Sequence, residues 1–221
     1  MPIPKIKDLF DLSHTKARPW MESKDYGHEI LSEIKEIIQE IEESLGDDYE
    51  QIREGVFAAK DSVISPLATV EAPTVIGHRT EIRPGAYVRG SALIGDNCVI
   101  GNSTEIKNAI LFDGVQVPHY NYVGDSILGH RAHMGAGAIA SNYRADHGNI
   151  TLRCEDEEIK AERNKIGAMV GDFAEIGCNT VLCPGAIIGK ESVVYPLSRV
   201  RGTVAERKIF KSESKIVDRS K

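Results

Sequence analysis

The stretch ISPLATVEAPTVIGHRTEIRPGAYVRGSALIGDNCVIGNSTEI, residues 64–106, decides the fold. In it Ile64, Val70, Ile76, Ile82, Val88, Ile94, Ile100 and Ile106 stand six residues apart without a slip. Two places before each stands a small residue: Ser62, Ala68, Thr74, Thr80, Ala86, Ala92, Cys98 and Thr104. Six is neither a helical period nor a hairpin spacing; it is the mark of a solenoid. Each hexad predicts one short strand and a turn, and three hexads close a triangular coil. The aliphatic side chain points inward and the small residue fits the tight corner. Coils stacked about 4.8 Å apart then satisfy one another's backbone hydrogen bonds.

Outward from this stretch the array continues through Leu111, Val117 and Val123, slips at Leu128 and Met134, and breaks at Asn142. It restarts at Val170, Ile176, Leu182, Ile188, Val194 and Val200, enough in all for six to seven coils. Between the runs lies a polar excursion, 144–165, whose two β-prone segments flank Glu155-Asp156-Glu157 and predict a projecting hairpin. On the other side, Ile30, Leu31, Ile34, Ile37, Ile38, Ile41 and Leu45 form the stripe of an amphipathic helix that Gly46 stops. That helix is expected to cap the open end of the prism. The expected organisation is a helical segment at 1–60, a mainly β domain of hexapeptide coils at 61–204, and a basic tail at 205–221.

Composition narrows the partners. Residues 1–61 carry 15 acids and 8 bases, a charge of −7, which leaves +1 of the total −6 for the rest of the chain. Nucleic acid is therefore not an expected partner. The four cysteines, Cys98, Cys154, Cys178 and Cys183, show no CxxC pattern, and there is no signal peptide or long apolar run. A reduced, cytoplasmic protein is the expectation, with Cys98 serving as a small inward hydrophobe.

The chemistry is expected where the array loses its register. His119-Tyr-Asn-Tyr-Val-Gly-Asp125 and His133-Met-Gly-Ala-Gly-Ala-Ile-Ala-Ser-Asn-Tyr143 gather polar side chains that packing does not require. On these residues the chain resembles the hexapeptide-repeat acyltransferases, whose fold is a left-handed parallel β-helix. More narrowly, His119-x-x-Tyr122-x-Gly124-Asp125 with Gly135-Ala-Gly137 and Asn142-Tyr143 is similar to the acetyltransferase half of the bifunctional N-acetylglucosamine-1-phosphate uridyltransferases/glucosamine-1-phosphate N-acetyltransferases. The likeness covers about residues 64–204.

The resemblance implies an acetyl-CoA-dependent N-acetyltransferase acting on an amino-sugar phosphate, assembled as a homotrimer. His119 would be the general base, with Asn142 contributed across a subunit boundary. Tyr122 and Tyr143 would contact the sugar, and Arg83 and Lys107 its phosphate. Ala136 would offer a backbone donor to the thioester oxygen, while Cys178, Pro196, Arg199 and Arg201 would line coenzyme A. No Gly-rich nucleotide-binding loop precedes the array, so uridylyl transfer is not expected. Two departures stand out: His133 replaces the family's Asn before Gly-Ala-Gly, and Arg144-Ala145 follows Asn142-Tyr143 where the family has Asp-Gly. Two other classes stay open. One is a metalloenzyme resembling γ-class carbonic anhydrases, with His119, His130 and His133 as ligands. The other is a noncatalytic scaffold using the acidic N-terminal helix.

Overall fold

The structure is a computed structural model that describes residues 1–219. The hexads build a mainly β, parallel β-helix, as the spacing predicts, of the left-handed class. Ile64 pairs with Ile82 and Ile82 with Ile100, so a full coil takes three hexads. The strands stack into three faces. Face I runs from Val63–Ile64 to Lys208–Ser212, face II from Thr69–Val70 to Arg199–Val200, and face III from Val56–Ala59 to Thr203–Val204. Inward aliphatics such as Ile82, Ile100, Ile106 and Val194 are fully buried. The small positions fill the corners, and where they are polar they are bonded: Thr80 Oγ1 donates to the Gly95 carbonyl at 2.8 Å and Thr104 Oγ1 to Val117 at 3.0 Å. Each turn needs one residue in the left-handed region, which Arg79, Asn97, Ser103, Arg131 and Asn179 occupy at φ between 53° and 56°. The ladder runs wider than 61–204, because Val56–Ala58 already pairs with Thr74–Ile76 and Ile209–Phe210 pairs with Val193–Val194.

The slip to Leu128 is a corner, and so is an equally short step at Leu111 that the hexad reading passed over. Ile106 to Leu111 and Val123 to Leu128 are sides of five residues, not six. In both, the turn between faces II and III is absorbed, and single strands, Glu105–Leu111 and Tyr122–Leu128, bend round the corner while paired along their length. Asn108 and Asp125 take the left-handed conformation at the bends, φ 48° and 47°. The break at Asn142 is where the excursion leaves; the coil closes over it, with Ile139–Ala140 pairing directly to Val181–Leu182.

The N-terminal segment covers a side, which corrects the expectation of an end cap. Face III differs from the others in its outward residues. Val75, Leu93, Ile110, Ile127, Met169 and Ile187 are apolar and at most 2% exposed, whereas Val63 on face I is 65% exposed. The cover is a 3₁₀ turn at Gly27–Ser32 followed by an α-helix at Ile34–Glu43, so the expected single helix is split at Glu33 and ends before Gly46. The helix buries Ile34, Ile37, Ile38 and Ile41 against this face. Gly27 lets the turn come close, since a Cβ there would lie 2.7 Å from the Met169 sulfur.

Further up, the segment completes a carboxylate ladder on the edge between faces III and I. Asp96 accepts the amide of His78 at 2.9 Å, Asp113 that of Asp96 at 2.8 Å, and Asp172 that of His130 at 2.8 Å. His130 stands where the ladder calls for another carboxylate, and there the amide of Asp113 donates to the His14 carbonyl instead, at 3.0 Å. The two imidazoles stack with centroids 3.6 Å apart.

The excursion is a hairpin, Thr151–Cys154 paired antiparallel with Glu157–Lys160. It does not project as expected but lies down on the body, with Ile150, Leu152 and Cys154 at most 2% exposed and the Arg153 carbonyl accepting from Thr203. The basic tail is a second hairpin, Lys208–Ser212 with Lys215–Asp218, that closes face I. Among the described residues no helix is long and apolar enough to cross a membrane.

Candidate functional site

Two edges of the prism carry the predicted residues. On the edge between faces I and II, backbone bonds from one coil to the next stack the turns: Tyr120 to the Asn102 carbonyl at 2.9 Å, Gly137 to His119 at 3.0 Å, Asn179 to Ala136 at 2.8 Å and Leu197 to Cys178 at 2.9 Å. His119, Ala136, Cys178 and Pro196 therefore occupy equivalent turn positions on successive coils. The His119 side chain is exposed and makes no hydrogen bond among the described residues. The amides of Ala136 and Cys178 likewise have no acceptor there. Arg83 stands on the same edge, two coils below, in contact with Glu81 at 3.0 Å.

Asn121, which the sequence did not single out as structural, fixes this edge. It is 3% exposed, its Oδ1 accepts the His119 amide at 3.1 Å, and its Nδ2 donates to the carbonyls of Gly135 at 2.8 Å and Ala138 at 3.1 Å. One carboxamide thus ties the His119 turn to the Gly-Ala-Gly turn above it.

The edge between faces II and III carries the rest. Its centre is Asp125, 2% exposed. Lys107 Nζ lies 3.2 Å from Oδ2, Asn108 Nδ2 donates to Oδ1 at 2.8 Å, and Asn142 Nδ2 donates to Oδ2. Gly124 lets these side chains lie close over the backbone, because a Cβ there would stand 2.5 Å from the Tyr122 hydroxyl and 2.7 Å from Asn142 Nδ2 and displace both. Burial pushes the Tyr122 phenol above its ordinary pKa, so it stays a neutral donor. Tyr143 is 40% exposed, bonded through its hydroxyl to His147 at 2.6 Å, with the Lys165 ammonium 5.8 Å from its ring centroid.

A cleft of about 720 Å³ opens over this edge, walled by Leu31 and Ser32 of the N-terminal segment, by Lys107, Asn108 and Asp125, and by Arg163 to Lys165 of the excursion. The contributions of Ser32, Asn108, Arg163 and Lys165 escaped the sequence reading, because they come from three segments distant in the chain. Asn108 alone left a signal, as it lies in the step from Ile106 to Leu111, which is five residues and not six.

Some predicted residues are apart. His119 and Asn142 lie on different edges of one chain, as do Arg83 and Lys107. Arg199 and Arg201 do not join Ala136 and Cys178; they line a second cleft of about 530 Å³ with Tyr143 and Arg153. His119, His130 and His133 do not converge: His130 is in the stack with His14, and His133 Nδ1 lies 2.8 Å from Glu175. Among the described residues no three His, Cys, Asp or Glu side chains are grouped to hold a metal. Cys98 is buried against the Phe112 carbonyl, and burial pushes its thiol up to about 12, far from a nucleophile's range.

A β-helix of hexapeptide coils with a histidine turn below a Gly-Ala-Gly turn defines the class: the chain resembles the hexapeptide-repeat acetyltransferases. Residues 70–170 match the family described as the GMPPB C-terminal domain. The bifunctional sugar-1-phosphate nucleotidylyltransferase/acetyltransferase of Sulfurisphaera tokodaii is 31% identical over 128 residues, 58% of this chain and 32% of that one. The bifunctional protein GlmU of Methanococcus maripaludis is 36% identical over 111 residues, 50% of this chain and 27% of that one. The matches thus span about a third or less of these curated relatives. Among solved structures, the acetyltransferase domain of PglB from Neisseria gonorrhoeae in complex with acetyl coenzyme A aligns at 15% identity and a TM-score of 0.35, over 83% of this chain and 63% of that one.

Proposed function

We propose that the protein is an acetyl-CoA-dependent N-acetyltransferase whose acceptor is an amino sugar bearing phosphate, either a sugar phosphate or a nucleotide sugar. The observation that carries this reading is the stacked edge: an unencumbered imidazole at His119 with the open amides of Ala136 and Cys178 on the coils above. Acetyl transfer asks for such a pairing of a proton acceptor with fixed donors.

In the proposed step His119 takes a proton from the acceptor amine as its nitrogen attacks the thioester carbonyl. The carbon–nitrogen bond forms, negative charge gathers on the carbonyl oxygen, and the Ala136 amide is placed to receive it. Collapse breaks the carbon–sulfur bond, and the thiolate leaves as coenzyme A after taking a proton. Cys178 and Pro196 extend the same edge along the direction the pantetheine arm would follow. The acceptor is held from the other edge, by Lys107, Tyr122, Asn142 and Tyr143. Since one chain keeps these edges apart, the working unit is a homotrimer in which the edge of one copy meets that of the next.

Turnover of a panel of amino-sugar phosphates and nucleotide sugars with acetyl-CoA tests this reading. Coenzyme A release with at least one phosphorylated amino sugar is expected. Absence of turnover with every member of the panel contradicts it.

A further inference from the structure

We propose that Asp125 is a positioning residue for acceptor binding, holding Lys107 and Asn142 in the geometry that grips the substrate. The inference rests on the acceptor roles proposed for those two residues. Three donors from one coil and the root of the excursion converge on one carboxylate: Lys107 Nζ at 3.2 Å, Asn108 Nδ2 at 2.8 Å and Asn142 Nδ2. The carboxylate is nearly inaccessible, at 2%, while Lys107 and Asn142 are only half-buried and Lys107 borders the cleft above it. Substrate in the cleft would therefore meet the Lys107 cation above a carboxylate that presents almost no surface of its own.

The backbone of Asp125 is committed to the same task. It sits at φ 47° in a five-residue side, and its carbonyl accepts the Gly167 amide at 2.7 Å where the excursion rejoins the coil. Asn108 Nδ2 also donates to the Leu31 carbonyl at 3.0 Å, so the same cluster reaches the N-terminal wall of the cleft. A side chain needed only to fill the corner would be small and apolar. A carboxylate buried under a lysine carries a desolvation cost that its three donors offset. What the arrangement gains is order: without it the Lys107 stem and the Asn142 amide would each sample several rotamers.

The test is steady-state kinetics of the intact protein carrying Asp125→Asn, with the best phosphorylated amino sugar from the panel. The acceptor KM is expected to rise about 10-fold or more, and the acetyl-CoA KM to stay within about twofold. Combined with Lys107→Gln, the two effects on acceptor KM should be markedly less than multiplicative, because Asp125 acts through Lys107. If Asp125→Asn does not fold, Asn108→Gly keeps the left-handed backbone, removes one donor to the carboxylate, and should raise the acceptor KM several-fold. An unchanged acceptor KM, or effects that multiply fully with Lys107→Gln, overturns the positioning role while leaving the acetyltransferase reading intact. A wild-type protein with no acceptor in the panel overturns both.

Discussion

His119 serves as a base only if nothing else claims its ring, and its imidazole is exposed and unbonded while its backbone is clamped by Asn121. Replacing it with alanine should lower kcat by about 10² to 10⁴, the usual loss for a general base, and leave acetyl-CoA affinity nearly unchanged. Asn121→Ala should lower kcat as well, but by loosening the turn, so a melting scan should show a loss of stability that His119→Ala does not. His130 shows the opposite use of the same side chain. Burial, then the neighbouring His14, hold it below the ordinary histidine pKa, and Asp113 and Asp172 oppose the shift only in part, while Asp11 faces the stacked His14. A group whose folded pKa is depressed contributes stability that is complete above its unfolded value, near 6.5, and is lost as pH falls through the folded value. His28, also depressed by burial, acts in the same sense. The melting temperature should therefore fall as pH drops below about 6.5, and His130→Phe should flatten that fall; an unchanged slope would contradict the assignment.

At the scale of elements, face III is the least self-sufficient part of the molecule, with its row of outward aliphatics. Deleting residues 1–44 should expose that row and cause aggregation, measured by light scattering. Leu93→Ala should cost about 2–5 kcal/mol, as buried large-to-small changes do. How much of this was legible follows from period and sign. The hexads foretold coils, inward aliphatics and the hairpin, because each is a local pattern of six or of alternating residues. Leu93 and Ile110 are apolar at outward positions, a signal of the covered face that the hexad reading did not use. The slip at Leu128 was visible as lost register, whereas the equally short step from Ile106 to Leu111 passed as continuous. That they bend one strand around a corner, and so bring Asn108 and Asp125 together, depends on pairing between coils. Asn121 looked like part of a reactive cluster because its type is polar; only its burial reveals a clamp.

At the scale of the whole molecule, the account turns on two edges that one chain cannot bring together. His119 and the amides above it face one way, and Lys107, Asn142 and their cleft another. Mass measurement in solution is expected to give a trimer, and monomer alone at working concentration would count against a shared site. Mixing the copies is the more direct measurement. His119→Ala and Asn142→Ala proteins are each assayed at low acceptor concentration, then dissociated, mixed and reassembled. If the site joins His119 of one copy to Asn142 of another, mixed trimers contain some intact sites, and acetyl transfer should rise well above the sum of the two variants. If activity stays at that sum although mixed trimers have formed, the two residues do not meet between copies, and the split-edge account is contradicted.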